Sequence, residues 1–122
     1  MTQSLEDYLE AIGVLVANTD GMARVTDIAT KLGVSKPSVL SALKALEERG
    51  FVEHQRYKGV SLTVTGIARS AEIRSRHDFL TGFLRDVVGV PAEIAEKDAC
   101  RMEHVLSEET LERMRAIASC EG

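Results

Sequence analysis

Residues 25–66, VTDIATKLGVSKPSVLSALKALEERGFVEHQRYKGVSLTVTG, switch their apolar spacing part-way from a helical period to an alternating one. Thr26 is expected to N-cap a short helix, with Ile28, Ala29 and Leu32 inward and Gly33 as its C-terminal stop. Ser35 is expected to cap a second helix. Pro37 suits its first turn, where the missing N–H has no intrahelical partner. Val39, Leu40, Leu43 and Leu46 form its apolar stripe, and Gly50 ends it. Phe51-Val52 and then Val60, Leu62 and Val64 flank a turn at Tyr57-Lys58-Gly59, the pattern of a two-stranded hairpin. Two short helices joined by a Gly-containing turn and followed by a hairpin predict a winged helix-turn-helix.

Upstream, SLEDYLEAIGVLVANTDG reads as a helix capped by Ser4, with Leu5, Leu9, Ile12 and Leu15/Val16 at helical spacing. Downstream, a long helix begins at Thr63 or Thr65 and runs to about Val87. Pro91 starts another, carried through DACRMEHVL, and Ser107 caps a last one. The expected fold is mainly α with a small β-hairpin: a winged helix-turn-helix domain over residues 1–66, then a helical domain over 67–122. At 122 residues, 44% apolar and 28% charged, the chain can bury a core and is not disordered. No apolar run is long enough to span a bilayer, and no basic-then-apolar leader stands at Met1, so a cytoplasmic protein without membrane association is expected. The two cysteines, Cys100 and Cys120, make no disulfide framework.

The net charge of −4 is unevenly spread. Residues 1–23 hold four acids and no Lys or Arg, whereas 24–64 hold seven Lys/Arg against four acids. The basic island therefore coincides with the helix-turn-helix. Its second helix shows Lys36, Pro37, Ser38, Ser41 and Lys44 at its N-terminal end: hydroxyls for base edges or phosphates, and cations for phosphates. Arg56 and Lys58 put charge at the wing tip, where a backbone or minor groove would lie. A protein-docking module with a solvated basic face has the same outline, but the confinement of positive charge to this module favours double-stranded DNA.

In DACRMEHVLS, residues 98–107, Cys100, Glu103 and His104 stand at i, i+3 and i+4, with Glu96 one turn earlier. Singly, a Cys is a small hydrophobe and a Glu-His pair a surface pair. Together on one helical face they converge on a point. Thiolate, carboxylate and imidazole suit a first-row transition metal better than Ca²⁺ or Mg²⁺. Asp7 and Glu10 share a face of the first helix, and His77 lies among the core positions of the long one.

These motifs, LEDYLEAI at 5–12, the stretch 25–66, RH at 76–77 and DACRMEHVLS at 98–107, resemble the diphtheria-toxin-repressor/manganese-transport-regulator family of metal-dependent transcriptional repressors. The resemblance implies Fe²⁺ or Mn²⁺ as corepressor, with room for two ions per subunit and with Zn²⁺ or Co²⁺ able to substitute in vitro. It also implies a homodimer on a palindromic operator. It makes Asp7, Cys100, Glu103 and His104 the primary ligands, and His77, Glu10 and Glu96 a second position. Thr81 stands where the iron-type proteins carry a further Glu. Asp7 and Glu10 point to manganese, while Cys100 is softer and tips the balance toward iron. The chain ending at Gly122 corresponds to the short, two-domain form.

Metal is then expected to join the acidic first helix to the dimerisation helices, and so to set the spacing of two DNA-reading arms. Two other readings compete. One is a winged-helix repressor sensing oxidants or a small ligand through its cysteines. The other is a metalloenzyme, for which no substrate-pocket signature is seen and which would leave the basic module unexplained.

Overall fold

A computed structural model of the chain describes residues 3–121. The outer limits of the two expected domains, at 1 and 122, and the expectation about Met1 fall outside them. The elements are α1 (Gln3–Ala17), α2 (Val25–Leu32), α3 (Lys36–Glu48), β1 (Val52–Gln55), β2 (Gly59–Leu62) and α4 (Val64–Phe83). A π-helical turn (Leu84–Val88), α5 (Ala92–Met102) and α6 (Glu108–Glu121) follow. They form two compact units, Met1–Glu72 and Ile73–Gly122.

In the first unit α1, α2 and α3 pack on one another, and the hairpin leans on α1 and α3. Leu9, Ile12, Ile28, Leu43, Leu46 and Val60 are fully buried there. Ser35 caps α3 as its sequence implies, its Oγ accepting the Ser38 N–H at 3.3 Å. Gly33 closes α2 in the left-handed conformation with φ 67°. Three expectations need correction. α1 is already helical at Gln3, so Ser4 lies within its first turn and is not its cap. α2 is capped by Arg24, not Thr26. Ala23 exchanges backbone hydrogen bonds with Val60 at 2.8 and 2.7 Å, which holds the chain extended up to Arg24 and starts the helix straight after it. Leu40 is 47% exposed, because the buried stripe of α3 is Val39, Ala42, Leu43 and Leu46 and Leu40 falls beside it.

The wing is antiparallel, with Val52 opposite Leu62 and Gln55 opposite Gly59. At Gly59 (φ 120°) a Cβ would lie 2.6 Å from the Ala23 carbonyl oxygen, so glycine lets the wing root sit against that bridge. Thr63 starts α4: its Oγ1 accepts the Gly66 N–H at 3.0 Å and donates to the Gly50 carbonyl at 2.6 Å.

The second unit centres on Leu80, Ala99 and Leu111, with Phe79, Leu84, Met102, Leu106 and Met114 around them. α4 does not stop near Val87 as an ordinary helix but passes into the π turn, which ends at Val88 with Gly89 left-handed behind it (φ 90°). Ser107 caps α6, its Oγ accepting the Thr110 N–H at 3.2 Å.

Candidate metal centre and nucleic-acid interface

His77 comes from α4 and Glu96 and Cys100 from α5, four residues apart on one face. α5 was expected to carry Glu103 and His104 within the helix, but it ends at Met102 with Glu103 as its C-cap. His104 leaves from the turn beyond, its N–H reaching the Arg101 carbonyl at 3.4 Å. The chain must reverse here into the Ser107 cap. Val105 and Leu106 both return their N–H groups to the Met102 carbonyl at 3.1 Å. The thiol, carboxylate and second imidazole are thus not one helical stripe.

The groups still meet. The Glu103 carboxylate is buried, with its side chain 1% exposed, and reaches His77 Nδ1 through Oε2 at 2.9 Å and His104 Nε2 through Oε1 at 3.2 Å. On its other side His77 Nε2 lies 2.8 Å from Glu96 Oε1. The Thr81 hydroxyl donates to the His77 carbonyl at 2.9 Å and sits 3.4 Å from Glu96 Oε2. An imidazole between two carboxylates has an acceptor facing each nitrogen. The neutral ring donates through one nitrogen only, so the second position calls for a proton or a metal ion. One ligand atom each from His77, Cys100 and Glu103 lies within 4.8 Å of the other two. Donors bound tetrahedrally to one ion at 2.0–2.3 Å lie about 3.3–3.8 Å from one another, a separation within that limit, so the three are near enough to share an ion after side-chain rotation. A nitrogen, a thiol sulfur and a carboxylate oxygen fit a first-row transition metal. Asp7 and Glu10 stand one turn apart on α1, both half-buried, in the first unit.

On α3, Lys36, Pro37, Ser38, Ser41 and Lys44 are all exposed, as are Arg56 and Lys58 at the wing tip. Two features escaped sequence reasoning. Glu6 is buried in the first unit and pairs with Arg69 at 3.5 Å. In the sequence it was only one of the four acids of residues 1–23. Tyr57, at the wing tip, is 94% exposed. Its only sequence signal was an aromatic in a turn.

Residues 1–60 match the family profile described as iron dependent repressor, N-terminal DNA binding domain. Residues 63–119 match iron dependent repressor, metal binding and dimerisation domain. The transcriptional regulator MntR of Escherichia coli O157:H7 is 42% identical over 97% of this chain and 75% of its own length. An uncharacterised HTH-type transcriptional regulator of Methanocaldococcus jannaschii, MJ0568, is 34% identical over 94% of this chain and 92% of its own. Among solved structures, the manganese regulator SloR superposes with a TM-score of 0.81 at 27% identity, covering 98% of this chain and 55% of that one. The chain thus spans about half the length of that protein. It belongs to the iron-dependent repressor family, whose members are metal-dependent transcriptional repressors and not enzymes. The winged helix-turn-helix and the helical metal-binding and dimerisation domain read from the sequence are those of this family. Among the described residues, no helix is long and apolar enough to cross a membrane.

Proposed function

We propose that this repressor uses Fe²⁺ or Mn²⁺ as corepressor and, as a homodimer in the cytoplasm, binds operator DNA that controls metal-homeostasis genes. Asp7, Cys100, Glu103 and His104 are the primary ligands in this reading, and His77, Glu10 and Glu96 hold a second position. Residues 1–66 read the DNA and 67–122 bind metal and dimerise. The observation that carries the reading is the convergence of His77, Cys100 and Glu103 on one spot around a buried carboxylate. When bound, the ion supplies the positive charge that offsets these acids and those of α1. Glu103 turns one oxygen toward each imidazole, so its carboxylate lies between both candidate ligands. Asp7 contributes from the acidic first helix, and through it metal occupancy reaches the DNA-reading module. Two recognition helices of a dimer need a separation of about 34–36 Å, one turn of DNA. A coupling of ~1–3 kcal/mol would change operator affinity about five- to 150-fold. Val88, Ile94, Val105 and Ile117, between 47% and 74% exposed, supply apolar surface for the dimer.

Cys100→Ala combined with Glu103→Ala is expected to abolish metal-dependent operator binding while light scattering still finds dimers. An unchanged metal response refutes the ligand assignment. An anaerobic titration of operator binding with Fe²⁺, Mn²⁺, Zn²⁺ and Co²⁺ ranks the metals. Asp7→Met should move that ranking toward iron, and an identical ranking would show that this position does not select.

A further inference from the structure

The wing tip carries an aromatic ring that no packing explains. Tyr57 is 94% exposed, so its side chain stabilises no core. Its backbone lies at φ 70°, and it is the only non-glycine residue at positive φ among the described residues. The Lys58 N–H donates to the Gln55 carbonyl at 3.1 Å, which makes Tyr57 the third residue of a tight turn. With positive φ, that position is ordinarily given to Gly or Asn. A bulky residue there is strained, and the strain brings no intramolecular contact except one. The Arg56 guanidinium carbon lies 5.2 Å from the Tyr57 ring centroid, in cation–π range. The root of the wing is fixed: Val60 is fully buried and bridged to Ala23, and Gly59 sits against the Ala23 carbonyl. A rigid arm thus ends in a ring with a cation on it and Lys58 next to it.

Resting on the DNA reading above, we propose that Tyr57 contacts DNA directly, its ring packing against the deoxyribose wall of the minor groove between the Arg56 and Lys58 cations. A sugar edge is an apolar surface of the size a phenol ring covers, flanked by anions that match Arg56 and Lys58. The minor-groove wall is present in every sequence but varies in width. The contact therefore adds affinity and reads local groove shape instead of base edges.

The test uses the full chain with Mn²⁺ and the duplex that the wild type selects best from a randomised pool. Tyr57→Gly is expected to weaken binding about five- to ten-fold, from loss of the buried ring face. Because glycine suits the turn, its unfolding temperature should equal or exceed that of the wild type, which separates lost contact from lost folding. Tyr57→Phe should bind as the wild type does. The slope of log affinity against log salt should stay unchanged in Tyr57→Gly, whereas Lys58→Ala should reduce it by about one. Wild-type affinity in Tyr57→Gly, alongside weakened binding in Lys36→Ala, overturns the proposal and leaves the DNA reading standing. A reduced salt slope in Tyr57→Gly, or equal losses in the Phe and Gly variants, also overturns it, since the ring face would not be the contact. If neither Lys36→Ala nor Tyr57→Gly changes binding, the proposal fails and α3 is not the reading helix; if the wild type selects no duplex from the pool, the DNA reading itself fails.

Discussion

Gly13 shows how tightly single residues constrain the first unit. It faces Ser70 of α4, and a Cβ at position 13 would fall within the Ser70 hydroxyl. Gly13→Ala is therefore expected to destabilise the protein by about 1–3 kcal/mol, as overpacking does. Ser70→Ala in the same chain should recover part of the loss, because the Oγ is the nearer obstacle. Denaturant midpoints of the four variants measure the coupling, and strictly additive effects would place the strain elsewhere. Neither residue was singled out in the sequence, because a close approach between helices 57 positions apart leaves no local pattern. The same holds for Glu6, whose burial beside Arg69 depends on a partner 63 residues away. Cys100, Glu103 and His77 were legible for the opposite reason: the chain has only two cysteines and three histidines, and Cys100 and Glu103 share a short motif. What the spacing misstated was the route by which they meet, since His104 projects from a turn and not from the helix.

Helix ends are where local chemistry and tertiary structure divide the outcome. Ser35 and Ser107 cap α3 and α6 through bonds to residues three further on, which sequence alone reveals. Arg24 displaces Thr26 because a bridge to Val60, more than 30 residues away, holds the preceding backbone extended. Ser107→Ala is expected to cost about 1 kcal/mol and to raise amide exchange through the first turn of α6. Protection unchanged from wild type would show that packing of Leu111 alone anchors that helix. The π turn after α4 had no signature beyond Gly89 at its exit. There Arg85 binds Asp86 in a two-pronged pair, at 2.9 and 3.0 Å. That hydrogen bonding, ahead of charge attraction, holds the Asp86 carboxyl below its ordinary range. A lowered carboxyl favours the folded chain at neutral pH and loses that effect as acid protonates it. Both groups are solvent-exposed, so the contribution is small. Asp86→Asn is expected to leave the unfolding temperature nearly unchanged at pH 7. A drop of many degrees would mean that the pair holds the π turn together.

Across the whole molecule the charge pattern parallels the proposed division of labour: seven Lys/Arg within residues 24–64, acids before them, and a further excess of acids after them. In the proposed division the basic module binds phosphates and the acidic remainder attracts cations, so that metal and DNA act on one chain through opposite signs of charge. If the two are coupled, thermodynamic linkage makes the coupling reciprocal. Whatever factor metal adds to operator affinity, operator must add to metal affinity. We therefore expect Mn²⁺ to bind more tightly in the presence of saturating operator duplex, by the same factor that Mn²⁺ imparts to DNA binding. Calorimetric titration of metal into the free protein and into the complex measures one arm, and fluorescence anisotropy with and without metal measures the other. Mn²⁺ at a hundred times its Kd should also raise the stability of the folded chain by about 2.7 kcal/mol, an increment that chelator removes. Cys100→Ala should shrink all three effects together, because in the proposed site one ligand set feeds them all. A variant that kept the metal-induced rise in stability but lost the DNA coupling would assign Cys100 to transmission and leave the binding of the ion to its neighbours.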